Sequence, residues 1–227
     1  MEYSREDDGF ERVATIDIET THYDPEQGET VSIGIGVHDR ESAGSEATYE
    51  MYHRDGETEG EMIKRAFRRL DEFGADGLVS YNGRGFDIDF LVERLSITGE
   101  DYHETSLHTE DTHIDLFEDR KTEASRRNQK WPSLEECVES YGWKPASTVW
   151  QGSEVTSKRF GRELGPAYLK AVDEGDDDRR ATLTDVIEHY LVTDLEANFA
   201  VYYADIGEEF EPVHMGTTLN DDVAPRS

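Results

Sequence analysis

The hydrophobic pattern changes period after residue 53, and that change does most to fix what the chain can become. Before it, the apolar positions read as strands. Val13-Ala14-Thr15-Ile16-Asp17-Ile18 is a short buried strand that ends on acids. Thr30 to His38 places Val31, Ile33, Ile35 and Val37 at every second position, and Ala47 to His53 supplies a third strand. Gly28 and the Asp39–Ser45 stretch make the turns between them, so the three strands form an antiparallel meander. After it, Met62, Ile63, Ala66, Phe67, Leu70 and Phe73 recur at helical spacing. Leu78 to Tyr81 is a short strand, followed by a glycine turn and a helix carrying Phe90, Leu91 and Leu95, with Asp87 as its expected cap. His113 to Phe117 reads as another strand, and Ser133 with Glu136 forms a capping box that opens a helix through Ser140. The last helix carries one apolar stripe, Leu183, Val186, Ile187, Tyr190, Leu191, Leu195, Phe199 and Tyr202. Thr182 and Asp185 are its expected capping box, after an acidic loop from Glu174 to Arg180. A meander followed by alternating helices and strands predicts an α/β fold, a mixed sheet with parallel strands added to the meander and helices packed on it. No internal repeat is visible. Residues 1–206 are expected to form a single domain, and 207–227, where the periodicity ends, a flexible C-terminal tail.

At 227 residues the chain can bury a sizeable core. Cys137 is its only cysteine, which excludes an intrachain disulfide and a thiolate zinc site. No apolar run approaches the length of a membrane span. The charged stretch Met1 to Glu11 lacks the apolar segment of a signal peptide, so a cytoplasmic protein is expected. The charge balance is extreme, with 53 acidic against 23 basic residues and a formal net charge of −30. In dilute buffer such a surface repels itself and repels nucleic acid. The recurring apolar segments argue against a disordered acidic chain. The composition points instead to salt adaptation, because at about 1 M salt the Debye length falls to roughly 3 Å.

Against this acidic background three segments stand out. Asp17-Ile18-Glu19 ends the first strand, Tyr81-Asn82-Gly83-Arg84-Gly85-Phe86-Asp87 joins a strand to a helix, and Tyr190-Leu191-Val192-Thr193-Asp194 lies on the last helix. Asp17 and Glu19, two apart in a strand, point to one face. Tyr190 and Asp194, four apart on a helix, share one side. Asp194 interrupts an apolar stripe, and a buried acid without a partner is costly. Hard divalent cations such as Mg²⁺ or Mn²⁺ are suited to carboxylate oxygens. Two such ions about 3.5–4 Å apart stabilise the attacking and leaving oxygens of a phosphodiester displacement. Asp-x-Glu alone carries little information here, since it recurs at Asp24/Glu26, Asp39/Glu41, Asp55/Glu57 and Asp194/Glu196. Order and context give the three segments their weight.

These segments resemble the motifs of the DEDD, or DnaQ-like, exonuclease superfamily: Asp-x-Glu, an Asn-containing turn ending in Phe-Asp, and a final Tyr-x-x-x-Asp or His-x-x-x-x-Asp. The resemblance spans about Val13 to Tyr203, and the second motif is most similar to the exonuclease domain of family B DNA polymerases. It implies an RNase H-like fold and a 3′-5′ exonuclease that uses two Mg²⁺ or Mn²⁺ ions on nucleic acid with a free 3′ end, DNA favoured over RNA. The implied ligands are Asp17, Glu19 and Asp194 for one metal, with Asp17 bridging and Asp87 supporting the second through water. Asn82 would brace the turn or touch the substrate, and Thr20 would contact the terminal nucleotide. An RNA-trimming exonuclease and a non-catalytic binding module are the alternative functions. His189 also satisfies the His form of the third motif. At roughly 100° per residue, Tyr190 lies about 40° from Asp194 and His189 about 140° away. Tyr190 is therefore expected to face the metals and position the attacking water. Arg84 is a candidate phosphate contact. Asp115 is expected to play a structural hydrogen-bonding role. His103, His108 and His113 fit no helical ligand spacing, and Trp143 and Trp150 read as packing residues. The richest basic stretch, Arg120, Lys121, Arg126, Arg127 and Lys130 before Trp131, reads equally as a strand contact or a solvated loop.

Overall fold

The computed structural model describes residues 1–220. β1 (Arg12–Thr20), β2 (Thr30–Asp39) and β3 (Thr48–His53) form the meander, with β1 antiparallel to β2 and β2 antiparallel to β3. The chain crosses through α1 (Glu59–Glu72) to β4 (Gly77–Ser80), which lies parallel to β1. It crosses again through α2 (Ile88–Thr98) to β5 (His113–Asp115), parallel to β4. The sheet order is β3-β2-β1-β4-β5, the mixed sheet read from the sequence. Parallel neighbours need a crossover, and the segments of helical period supply both. There follow α3 (Leu116–Arg126), α4 (Leu134–Ser140), β6 (Ser147–Trp150), β7 (Ser153–Glu154), α5 (Ser157–Arg159), α6 (Gly165–Glu174), α7 (Asp177–Ile206) and β8 (Thr218–Asn220).

The two faces of β1 explain the architecture. Ala14, Ile16 and Ile18 pack into a core with Met62, Phe67 and Leu70 of α1 and Leu91 and Leu95 of α2. Val13 belongs to the opposite core, with Phe199, Tyr202 and Tyr203 of α7. By strand alternation Thr15, Asp17 and Glu19 share that second face. Asn198 of α7 donates to the Thr15 hydroxyl at 3.1 Å. Gly34 pairs with Asp17 across the β1–β2 ladder. A Cβ at Gly34 would sit 2.9 Å from Leu195 Cδ1, so glycine here lets α7 lie close against the sheet.

Several expectations need correction. Asp87 makes no capping hydrogen bond; α2 is entered through a π-turn over Gly83–Asp87. The last helix starts before Thr182: Asp176 accepts from the Arg179 N–H at 3.1 Å, and most of the expected acidic loop is helical. Asp177 and Asp178 suit a helix N-terminus through the macrodipole although they carry no apolar signal. The basic stretch is not a solvated loop throughout, since its part up to Arg126 lies in α3, capped by the Asp115 carboxylate. Arg120 within it is fully buried against Asp205, with an Nη1–Oδ2 distance of 2.9 Å. The part of the expected tail between 208 and 220 is folded. Glu196 accepts N–H bonds from Val213, His214 and Met215, each at 2.7 Å. Phe210 is buried in the α7 core, and β8 pairs with β6. These anchors are single contacts without a period. The rest of that expected tail, 221–227, lies outside the described residues.

Candidate active site

The carboxyl ends of β1 and β4 open side by side under α7. Asp17 and Glu19 come from β1, Asp194 from α7, and a carboxylate oxygen of each lies within 4.8 Å of the others. The fourth acid arrives through the turn after β4. Asn82 there is in the left-handed region at φ 73°. Asp115 holds the turn by accepting the N–H groups of Asn82 (2.9 Å) and Arg84 (3.0 Å) while also accepting that of Phe117 (3.0 Å). A Cβ on Gly83 would stand 2.3 Å from the Ser80 hydroxyl, so the turn requires glycine. The π-turn then delivers Asp87, 4% exposed, with an Oδ2 that has no hydrogen-bond partner among the described residues.

In so acidic a chain, burial without a partner sets a few acids apart from the many on the surface. Six acids are buried among the described residues: Glu19, Glu59, Asp87, Asp115, Glu196 and Asp205. Glu59 is paired with Arg94 and Asp205 with Arg120. Asp115 and Glu196 each accept three backbone N–H groups. Glu19 and Asp87 remain, with no hydrogen bond to either side chain among the described residues. Withdrawal from water, full at Glu19 and Asp87 and partial at Asp17 and Asp194, raises their pKa well above the usual carboxylate range, and repulsion from neighbouring acids adds to the shift. The orphaned oxygen of Asp87 and three crowded oxygen donors fit hard divalent cations, which remove both penalties at once.

The four acids line a cavity of about 430 Å³ with Thr20, Thr21, His22, Tyr23, Tyr81, Asn82, Phe86, Ser157, Lys158, Gly161, Arg162 and Tyr190. A smaller cavity of about 300 Å³ continues past Asp17 and Asp194, lined also by Phe117, Ser133, Leu134 and Glu135. Tyr190 stacks on Phe160 at 6.2 Å. Burial, then Glu19 and Asp194, push its hydroxyl well above the ordinary tyrosine value, so the phenol keeps its proton. His189 turns away, bonded to Thr148 (2.7 Å) and Thr217 (3.1 Å). Thr20 and Asn82 line the cavity, and the Thr20 hydroxyl donates to the His22 carbonyl at 3.0 Å. Arg84 does not line it; its guanidinium donates to the Thr109 carbonyl at 2.7 Å. Lys158 and Arg162 had no signal in the sequence. They sit on α5 and the π-turn Phe160–Leu164, elements too short for a period, and neither makes an ion pair among the described residues.

A model of the RNase H superfamily matches residues 14–203. No curated protein matches the sequence. Among solved structures, the fold is similar to the family B DNA polymerase of the hyperthermophilic archaeon Pyrobaculum calidifontis, with a TM-score of 0.57 and 19% identity over 85% of this chain. The matched part is 24% of the polymerase, so this chain corresponds to about a quarter of that protein. E. coli Exonuclease I in complex with a 5cy-dA13 oligonucleotide matches 59% of this chain and 36% of its own, at 13% identity and a TM-score of 0.39.

Proposed function

We propose that this chain, which belongs to the RNase H superfamily, is a metal-dependent 3′-5′ exonuclease of the DEDD type acting on single-stranded DNA. The observation that carries the reading is the pairing of three carboxylate oxygens within 4.8 Å with a buried, unpartnered Asp87 beside them. Asp17, Glu19, Asp87 and Asp194 would hold Mg²⁺ or Mn²⁺. Such ions, when bound, lower the pKa of the attacking water and neutralise charge on the phosphate. Tyr190 keeps its proton at neutral pH, so it orients the water by a hydrogen bond and does not act as the base. Thr20 and Asn82, which both line the cavity, take the terminal nucleotide. The net charge of −30 belongs with a working medium of concentrated salt.

The test is digestion of end-labelled DNA and RNA single strands in high salt with Mg²⁺ or Mn²⁺, comparing the native chain with Asp17→Ala and Asp194→Ala. Release of mononucleotides from the 3′ end, lost in both variants while the fold is kept, is the expected result. Undiminished cleavage in either variant defeats the assignment. Preference for RNA would move the reading to a trimming exoribonuclease. Binding without cleavage by the native chain would make it a non-catalytic module.

A further inference from the structure

We propose that Phe117, Lys121 and Trp131 form a second binding site for the substrate, a stacking platform that takes a base of single-stranded nucleic acid where the strand leaves the catalytic cavity. The proposal rests on the exonuclease reading and extends it beyond the carboxylates. A row of rings leads out of the site. Tyr81 lines both cavities and Phe117 lines the smaller one beside Asp17 and Asp194. The Tyr81 and Phe117 rings are 5.4 Å apart, and Phe117 meets Trp131 edge-on at 6.1 Å. Lys121, one turn along α3 from Phe117, places its Nζ 5.6 Å from the Phe117 ring and 4.8 Å from the indole.

Trp131 is 49% exposed. An indole left half in water forgoes burial that a core site would give it. Its N–H donates to the Ser125 hydroxyl at 3.0 Å, and Lys121 holds one face. A ring fixed in this way has little freedom left to lose when a base stacks on it. The charge around it is complementary to a phosphate backbone. Lys121 makes no ion pair among the described residues. Arg126 and Arg127 are exposed and, among the described residues, paired only with Glu123. Such exposed pairs are weak and give way to a phosphate. Arg120, the first cation of the same stretch, is excluded because it is buried against Asp205. Every base has a π-face, and stacking survives the salt that screens phosphate contacts. A salt-adapted nuclease therefore gains more from an aromatic platform than from a basic groove.

The experiment compares kcat/KM for a dinucleotide with that for a twelve-nucleotide single strand. In Trp131→Ala the ratio of the longer to the shorter substrate falls roughly five- to hundredfold, the loss being in KM. Trp131→Phe keeps most of the ratio, because a ring remains. Lys121→Gln makes the dependence of log KM on log salt shallower by about 0.7 for the longer substrate. An unchanged ratio in Trp131→Ala, with both substrates cleaved by the native chain, overturns the platform and leaves the exonuclease intact. Failure of the native chain to cleave either substrate overturns the exonuclease reading itself.

Discussion

Replacing Asp194 by asparagine is expected to stabilise the metal-free fold while abolishing activity. Carboxylate oxygens of Asp194, Asp17 and Glu19 lie within 4.8 Å of one another. At that separation and an effective dielectric constant near 20, each fully ionised pair repels by about 3 kcal/mol. Burial and repulsion raise all these pKa values, so the metal-free cluster retains protons and the realised penalty is smaller, about 2 kcal/mol. For a chain of this size that corresponds to roughly 4–8 °C in Tm. The sign with pH follows from the raised folded-state values. The folded chain binds more protons than the unfolded one between the ordinary carboxylate pKa near 4 and the raised values, so stability falls as pH rises through that window. Asp194→Asn should therefore melt above the native chain in EDTA at pH 8, and the two should converge toward pH 4–5. Magnesium reverses the order. At a hundred times its Kd it adds about 2.7 kcal/mol to the native chain and much less to the variant. The assay is thermal or urea unfolding at fixed NaCl, with EDTA or Mg²⁺, at both pH values. A variant that melts below the native chain in EDTA at pH 8, or gains as much from Mg²⁺, refutes the reasoning.

Tyr190→Phe should lower kcat about a hundredfold with KM little changed. His189→Ala should leave kcat near native but reduce stability by about 1 kcal/mol for each bond lost to Thr148 and Thr217, as unfolding curves would register. Arg120→Ala leaves Asp205 buried without its partner and should cost about 3–5 kcal/mol in urea unfolding. Burial, with smaller effects of His108 and Arg84, pulls His113 down to about 3 from a reference of 6.5. The unfolded chain takes up this proton first as pH falls below 6.5, so stability drops with a slope of up to about 1.4 kcal/mol per pH unit. The advantage of the native chain over His113→Gln should shrink from pH 7 to pH 5, and a constant gap would disprove the assignment. Among the described residues, three cations free of ion pairs lie at or beside the cavity, Lys121, Lys158 and Arg162, so log KM for single strands should rise with log salt at a slope of about 2. A slope above about 4 would require phosphate contacts elsewhere.

The parts of this molecule that could be read from the sequence are those where a period carries the information. The two-residue repeat of β1 fixes the face of Asp17 and Glu19, and the helical repeat of α7 aims Tyr190 at the cavity and His189 away from it. Where contacts are single and distant, the sequence is silent. Glu196 and its three N–H partners hold the 208–217 segment, but an isolated Glu in a chain with 53 acids announces nothing. Arg120 looks like one of five surface cations until the fold supplies Asp205, 85 positions away. Asp87 has the right residue type for a helix cap and stands before a helix. The π-turn that carries it past the capping position into the cleft leaves no mark in residue spacing.

The same economy of cations bears on how a chain of −30 can hold a polyanion. Most guanidinium and ammonium groups here are committed to carboxylates: Arg94 to Glu59 and Arg120 to Asp205 inside, Arg40, Arg54, Arg65 and Arg69 outside. Among the described residues, those left without an ion pair near the carboxylates are few. Binding that depends on few phosphate contacts is weak in dilute salt but declines slowly as salt rises, because each contact contributes only about 0.7 to the slope for a single strand. A basic groove with eight contacts would lose about ten-millionfold over a twentyfold rise in salt, whereas three contacts lose a few hundredfold. The acidic surface and the sparse, unpaired cations therefore answer one constraint. On the proposed reading, the surface is tolerable where salt is high, and there the strand would be held by what salt does not screen: ion coordination at Asp17, Glu19, Asp87 and Asp194, and the proposed aromatic faces at the edge of the cavity.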